Sequence, residues 1–100
     1  MEIYSIWESR FPTDAAEQGL GVTEAIWADM PDYNGYRDHM ILVDEDDHGH
    51  LLVVSRWASR EHADAVLREY SPRPNAQAAD RLVSEPRRRF VAVPTSREPR

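Results

Sequence analysis

The sequence predicts an α+β fold of the ferredoxin-like, split βαβ type, in which helices cover one face of a four-stranded antiparallel sheet. Three observations predict it. Segments with strand and helix periodicity follow the order β-α-β-β-α-(α)-β, a central stretch has the pattern of a β-hairpin, and the composition suits one compact domain. The chain has 100 residues, of which 41% are hydrophobic and 30% charged, and its formal net charge is −6. This balance excludes a disordered chain, and the length allows a single core.

The first strand and the first helix occupy the first third of the sequence. Glu2–Arg10 alternates as a strand does, and Pro12 closes it. Asp14, followed three residues later by Glu17, predicts a capping box at the start of a helix. Gly19 and Gly21 weaken the opening turns by roughly 1 kcal/mol each relative to alanine, so the first turn is expected to fray or the helix to start later. The apolar face of this helix is formed by Leu20, Thr23, Ile26, Trp27 and Met30.

The central stretch predicts a β-hairpin. Met40–Val43 and Leu51–Val54 are apolar runs rich in β-branched residues, and the acidic segment Glu45–Gly49 between them supplies a loop. A five-residue loop and a four-residue loop give registers that differ by one residue, and the opposite charges of Asp38 and Arg56 favour the first. In that register one face pairs Asp38 with Arg56, Met40 with Val54 and Leu42 with Leu52, and the other pairs Arg37 with Trp57, His39 with Ser55 and Ile41 with Val53.

Both faces of this hairpin are apolar in the middle, unlike those of a sheet with one face in water. A chain of this length has room for two or three helices, which can cover only one face of the sheet. We therefore expect a second copy of the chain to cover the other face, so that the protein is a homodimer.

The last third of the sequence predicts two helices and a strand. Ser59 caps the first helix, whose apolar face lies within Ala63–Tyr70 and which stops at Pro72. Asn75 caps a shorter second helix. Arg88–Val93 alternates as the last strand. We predict one domain over residues 1–94, followed by a flexible tail over residues 95–100.

Charge, cysteine content and hydropathy exclude several classes of protein. The acidic balance argues against a nucleic-acid partner, since the only arginine cluster is Arg87–Arg89. Without cysteine there is no disulfide, thiolate metal site or thiol nucleophile. No apolar run is long enough to cross a membrane and no signal-peptide pattern is present, so we expect a cytoplasmic protein with no membrane partner.

Three local patterns carry a resemblance to a known family. They are the turn Asn34–Tyr36 before the second strand, the hairpin Ile41–Ser55 with its acidic loop, and Arg56–Glu61, in which an aromatic residue closes the third strand before a capped helix. Together with the order of elements over nearly the whole chain, these patterns resemble the antibiotic biosynthesis monooxygenase-like family of the dimeric α+β barrel superfamily. The resemblance implies a dimeric α+β barrel formed by two ferredoxin-like chains.

The family includes cofactor-free oxygenases that turn polycyclic phenols into quinones, haem-degrading enzymes, and members with no established chemistry. The strand-one asparagine and the later tryptophan and histidine of the haem-degrading branch have no counterpart here. Some quinone-forming members use a strand-three tryptophan with an asparagine four residues earlier. Trp57 matches the tryptophan, and Val53 stands in place of the asparagine. The resemblance implies a cofactor-free monooxygenase that acts with dioxygen on a polycyclic aromatic phenol. The alternative, favoured by Val53, is a non-catalytic homodimer with a small-ligand-binding or structural role.

The candidate catalytic residues are Trp57 and His39. The indole N–H of Trp57 can donate to a ligand oxygen, although large aromatic side chains more often pack cores and interfaces. His39 can act as a general base, or can be a half-buried histidine bonded to its neighbours. Candidate substrate-binding residues are Tyr70, Ser55 and Arg37. The predicted register and the helix after Trp57 place these groups around a pocket between the sheet and the helices.

Two further sets of polar residues have both a functional and a structural interpretation. Arg37, Arg56 and Arg89 can hold a phenolate or a carboxylate, or can be solvated and ion-paired. The loop Asp44–His50 resembles the start of an EF-hand loop, but Ser55 stands where the bidentate glutamate would be and the flanks are strands. We therefore expect a solvated hairpin tip without a metal site.

Overall fold

The structure, a computed structural model, describes residues 2–96. Its strands are β1 (Ile3–Arg10), β2 (Tyr36–Asp44), β3 (Asp47–Trp57) and β4 (Arg88–Ala92), and its helices are α1 (Ala16–Ala28), α2 (Arg60–Tyr70) and α3 (Pro74–Leu82). The four strands form one antiparallel sheet in the order β2-β3-β1-β4. This order, with the helices on one face, confirms the predicted ferredoxin-like α+β fold.

The predicted hairpin register is confirmed through the middle of β2 and β3, where Asp38 pairs with Arg56 and His39 pairs with Ser55. The turn at the tip is tighter than the predicted loop, because Asp44 already pairs with Asp47 and an irregularity in the ladder restores the register. At the other end a bulge makes Tyr36, instead of Arg37, the partner of Trp57. The prediction that Arg37 lies opposite Trp57 is therefore wrong.

The helix-facing side of the sheet carries the hydrophobic core. Alternate residues of β3 (Leu51, Val53, Ser55 and Trp57) are buried there, as a period of two requires. The helices contribute the rest of the core: Ile26, Trp27, Ala63, Val66, Tyr70, Ala76 and Ala79. The sheet and its helices therefore enclose one continuous apolar layer, in which any internal site of this chain must lie.

The start of α1 differs from the predicted capping box. Residues Thr13–Ala15 form a short 3-10 turn after Pro12, and no side chain caps either this turn or α1. Gly19 is buried and lies against Phe11, whose ring carbons would be only 2.5–2.6 Å from an added Cβ. This glycine therefore makes room for a core aromatic residue that hydrophobic periodicity did not identify.

Of the two N-caps predicted in the second half of the chain, one is confirmed and one is wrong. Ser59 caps α2, because its Oγ accepts a hydrogen bond from the backbone N–H of His62 at 3.3 Å. The predicted Asn75 cap is wrong, since α3 begins at Pro74 and Arg73 is its N-cap. Proline is favoured in the first helical position, where its missing N–H costs nothing.

The outer face of the sheet is not covered by any helix of residues 2–96. Met40, Leu42 and Phe90 lie on it with 56%, 44% and 43% of their surface exposed. The expectation that helices cover only one face is confirmed, and the homodimer remains a prediction.

None of the helices within residues 2–96 is long and apolar enough to cross a membrane. The predicted tail falls mostly on residues 97–100, which lie outside the described part of the chain, as does Met1. The boundary at residue 94 therefore stays a prediction.

Candidate functional site

An internal cavity of about 50 Å³ lies between the helix-facing side of the sheet and the helices. All three tryptophans of the chain line it. Its other aromatic wall residue is Tyr70, and its polar wall residues are Ser5, Ser9, Thr23, Ser71, Arg87 and Arg89. No aspartate or glutamate of the described residues lines this space. The cavity wall is therefore mostly apolar, includes four aromatic residues, and has arginine as its only charged residue type among the described residues.

Trp57, at the end of β3, presents its ring to this cavity and is only 2% exposed. Its indole Nε1–H donates to the Oγ of Ser55 at 3.0 Å, and that hydroxyl donates to the backbone carbonyl of Ser5 at 2.8 Å. Ser55 is fully buried and is not among the residues that line the cavity. The donor that the sequence assigned to a ligand is thus already bonded within the sheet.

Tyr70, at the end of α2, lines the cavity as predicted. Its hydroxyl donates to the Oδ2 of Asp29 at 2.6 Å, which ties the end of α2 to the end of α1. Burial, together with the bond to this carboxylate, raises the pKa of the Tyr70 phenol. Tyr70 is therefore a neutral, fixed wall residue near neutral pH.

His39 is half-buried on the same face of the sheet but does not line the cavity. Its Nδ1 lies 2.6 Å from the hydroxyl of Tyr36, and burial raises the pKa of that phenol. The ring of Tyr36 in turn meets Trp57 edge-on, with centroids 5.6 Å apart. His39 therefore reaches the cavity wall only through Tyr36 and through the neighbouring ring of Trp27.

Arg37 lies away from the cavity. Its side chain is half exposed, and its Nε is 3.6 Å from a carboxylate oxygen of Glu2. The bulge in β2 is responsible, because it inserts one residue between Tyr36 and Asp38 and so removes Arg37 from the predicted alternation.

Arg89 on β4 is one of the two charged residues that line the cavity, the other being Arg87. Its side chain is 14% exposed, its Nε donates to the Oγ of Ser5 at 3.1 Å, and its Nη1 lies 3.0 Å from the Oδ1 of Asp64. Although burial raises the pKa of Asp64, the bonds and charges of Arg89 and Arg60 hold it below its ordinary value. Sequence reasoning grouped Arg89 with two other arginines. The alternation of β4, which puts Arg89 and Val91 on one face, is the signal that selects it.

The hairpin tip uses its acidic side chains within the turn. Asp44 accepts hydrogen bonds from the N–H of Asp46 and from the ring of His50, and Asp47 accepts one from the N–H of Gly49. Within residues 2–96 no group of three or more histidine, aspartate or glutamate side chains is placed to hold a metal ion.

Comparisons with known proteins identify the fold. No family model and no curated protein matches the chain significantly. Among solved structures, an antibiotic biosynthesis monooxygenase superposes with a TM-score of 0.79 at 15% identity, covering 92% of this chain and 99% of its own. SnoaB from Streptomyces nogalater, a cofactor-independent oxygenase, superposes with a TM-score of 0.75 at 16% identity, covering 99% and 98% of the two chains. Rv0793 from Mycobacterium tuberculosis gives a TM-score of 0.76 at 19% identity over 97% and 98%. The chain therefore has the fold of the antibiotic biosynthesis monooxygenases, in agreement with its sequence pattern.

Proposed function

We propose that the chain is a cofactor-independent monooxygenase that oxidises an aromatic phenol with dioxygen. The observation that carries this proposal is the cavity between the sheet and the helices, whose wall includes three tryptophans and a tyrosine. An aromatic wall binds a flat, electron-rich ring, and a dry site favours electron transfer over side reactions of the intermediates. The shared fold with SnoaB supports the same class of reaction.

The chemistry needs no redox group from the protein. A phenolate transfers one electron to dioxygen, and the resulting substrate radical and superoxide combine at a ring carbon to form a peroxide. The peroxide loses water and leaves a quinone, so that one oxygen atom enters the product and the other leaves as water. The protein has to supply a phenolate, a dry cavity and a fixed orientation.

The wall residues have distinct roles in this proposal. Trp57 and Trp27 provide the flat surfaces against which the substrate ring stacks, and Ser55 fixes the ring of Trp57. Tyr70 closes the cavity on the helical side, where its bond to Asp29 holds it. His39 supports the wall by holding Tyr36, and no proton transfer to the substrate is assigned to it. Arg37 has no role in binding.

The size of the cavity restricts the substrate. Its volume of about 50 Å³ is small beside the roughly 300–1,000 Å³ of typical ligand pockets, so a polycyclic phenol requires the wall to open. A surface groove shares Trp7, Ser71 and Arg87 with the cavity, which places the entrance at these residues. Arg87 stacks over the ring of Trp7 at 4.9 Å and bonds Asp80 at 2.8 Å, and it must swing away when a ligand enters.

A second candidate function is non-catalytic binding of a small aromatic ligand. Two observations favour it: the small volume of the cavity, and the engagement of the Trp57 N–H by Ser55. A non-catalytic binding protein needs an aromatic wall for its ligand but no path for dioxygen. Oxygen consumption therefore distinguishes the oxygenase from the binding protein.

The outer face of the sheet supports a homodimer in either case. Met40, Leu42 and Phe90 form an exposed apolar surface on a protein with a charged exterior. In a two-fold symmetric dimer, the same three residues of a second copy would pack against this surface.

The proposed activity is tested by incubating the protein with anthrone-type and single-ring phenols in air, while oxygen uptake and quinone absorbance are followed. Ala76→Leu fills the cavity, because Ala76 is buried in its wall, and we expect it to lower the rate at least tenfold. Ala25→Leu, at an exposed position of α1, is the matched control and should keep the full rate. Thermal unfolding shows that each variant is folded. The absence of oxygen uptake across the panel would reject the oxygenase and leave the binding function.

A further inference from the structure

We propose that Nη2 of Arg89 binds the anionic oxygen of the cavity ligand, so that an aromatic phenol binds as its phenolate. The assignment of a phenol as the ligand rests on the proposed function, whereas the anion site rests on the geometry of Arg89 alone. The site requires a planar aromatic ring for the tryptophan wall and one negatively charged oxygen for the guanidinium.

The first observation is that Nη2 lacks a hydrogen-bond partner. Among the buried side-chain nitrogen and oxygen atoms of residues 2–96, it is the sole atom without one. Buried polar groups are nearly always bonded, and a charged donor is among the costliest to leave unpaired. Arg89 lines the cavity but its Nη2 is almost fully covered, so an acceptor reaches this donor when the wall opens, as entry of a ligand requires.

The second observation is that the guanidinium is held in place from two sides. Its Nε donates to Ser5 on β1 at 3.1 Å, and its Nη1 meets Asp64 on α2 at 3.0 Å. Two anchors on different elements fix the plane of the group before a ligand arrives. A donor fixed in advance loses little entropy on binding and stabilises charge more effectively than a mobile one.

The third observation is the charge of the wall. Arg87 and Arg89 both line the cavity, and no carboxylate of the described residues does. The partners Asp64 and Asp80 neutralise the two guanidinium groups from outside the cavity wall. The space therefore offers guanidinium hydrogen-bond donors to an anion and has no carboxylate in its wall to repel it.

This arrangement removes the need for a general base. A phenol in solution loses its proton to the buffer and enters as a phenolate, because Arg89 stabilises the anion and lowers the pKa of the bound phenol. The reaction then does not require His39, which lies outside the cavity. The electron-rich phenolate is the form that transfers an electron to dioxygen.

Binding under nitrogen tests the site independently of turnover. The probe is 4-nitrophenol, whose phenolate absorbs in the visible, titrated at several pH values to give the pKa of the bound phenol. We expect the wild type to bind the phenolate at least tenfold more tightly than the phenol, which lowers the pKa of the bound phenol by one or more units. Uncharged 4-nitroanisole should bind at least tenfold more weakly than the phenolate.

Variants of neighbouring arginines provide the control. Arg89→Met should abolish the lowered pKa of the bound phenol, whereas Arg88→Met should preserve it, since Arg88 is 70% exposed on the outer face of the same strand. Ser5→Ala keeps the charge of Arg89 but removes the hydroxyl that holds its Nε, so it should reduce the preference for the phenolate. This variant tests the site if Arg89→Met does not fold.

Each other outcome overturns a defined part of the reasoning. Equal binding of 4-nitrophenolate and 4-nitroanisole by the wild type would reject the anion site while leaving the aromatic cavity and the proposed oxygenase intact. Tighter binding of 4-nitrobenzoate than of the phenolate would reject a phenol as the ligand. Failure of all these probes to bind would overturn both the anion site and the proposed function.

Discussion

Gly19→Ala separates what helix propensity predicts from what packing dictates. In an exposed helix, replacement of glycine by alanine stabilises the folded state by about 1 kcal/mol. At Gly19 the new methyl group would lie 2.5–2.6 Å from three ring carbons of Phe11, well inside van der Waals contact. The ring cannot easily retreat, because it is buried and the backbone N–H of Phe11 donates to the carbonyl of Gly49 at 2.7 Å.

The two effects can be compared in magnitude. Overpacking of a core costs about 1–3 kcal/mol, which outweighs the gain in propensity and leaves a net destabilisation of about 1 kcal/mol. Gly21→Ala is the matched control two residues away, where an added Cβ meets nothing within 4 Å. For a domain of this size we expect the melting temperature to fall by about 4–8 °C in the first variant and to rise by a similar amount in the second.

Thermal unfolding followed by circular dichroism measures both changes, and urea unfolding gives the free energies. A Phe11→Leu background supplies the cycle, since the smaller side chain makes room for the methyl group and Gly19→Ala should then cost less or stabilise. If Gly19→Ala raised the melting temperature as much as Gly21→Ala, the packing argument for Phe11 would be refuted.

Three further predictions concern charge, entry and assembly. His50 bridges Glu8 and Asp44 at 2.7 and 2.9 Å; bonds to Asp44 and Glu8 raise its pKa, and the same bonds lower theirs. The free energy of unfolding of the wild type in urea should exceed that of His50→Gln most at pH values below the ordinary histidine pKa of 6.5 and above the lowered carboxylate pKa values. This difference should vanish as the pH rises through the raised pKa of His50. A difference that grows at alkaline pH would contradict this. Arg87→Ala removes the side chain at the entrance, so stopped-flow association of 4-nitrophenol should be several-fold faster, and an unchanged rate would place the entrance elsewhere. Met40→Asp puts a charge on the exposed apolar face, and light scattering should show a monomer in place of the wild-type dimer; a monomeric wild type would reject the homodimer.

The parts of the fold that were predictable depend on local repetition. The opposite charges of Asp38 and Arg56 favoured the observed hairpin register over the one shifted by a residue, because these two side chains are paired directly across the strands. The Ser59 cap was likewise readable, since capping involves residues only three apart. The bulge at Arg37 could not be predicted from the sequence. It adjoins the turn at Gly35, whose carbonyl accepts from the N–H of Ala58 at 2.7 Å, a contact between distant residues.

The site was predictable only in part, for a similar reason. The pattern of β3 and α2 places Trp57 and Tyr70 on the faces that meet, and both line the cavity. The hydrogen-bond state of each polar group depends on its neighbours in space. Periodicity cannot show that Ser55 occupies the N–H of Trp57, or that Arg89 has two anchors and one unpaired nitrogen.

The indole N–H resonances provide the most direct test of the claim that an aromatic ligand binds in the cavity between sheet and helices. The chain has three tryptophans, Trp7, Trp27 and Trp57, and all of them line that cavity. In a titration with 4-nitrophenol under nitrogen, followed by two-dimensional NMR, all three indole signals should shift with a single dissociation constant. The methyl signal of Met40 on the outer face should stay in place. Indole signals that do not move, or a shift confined to Met40, would contradict the account.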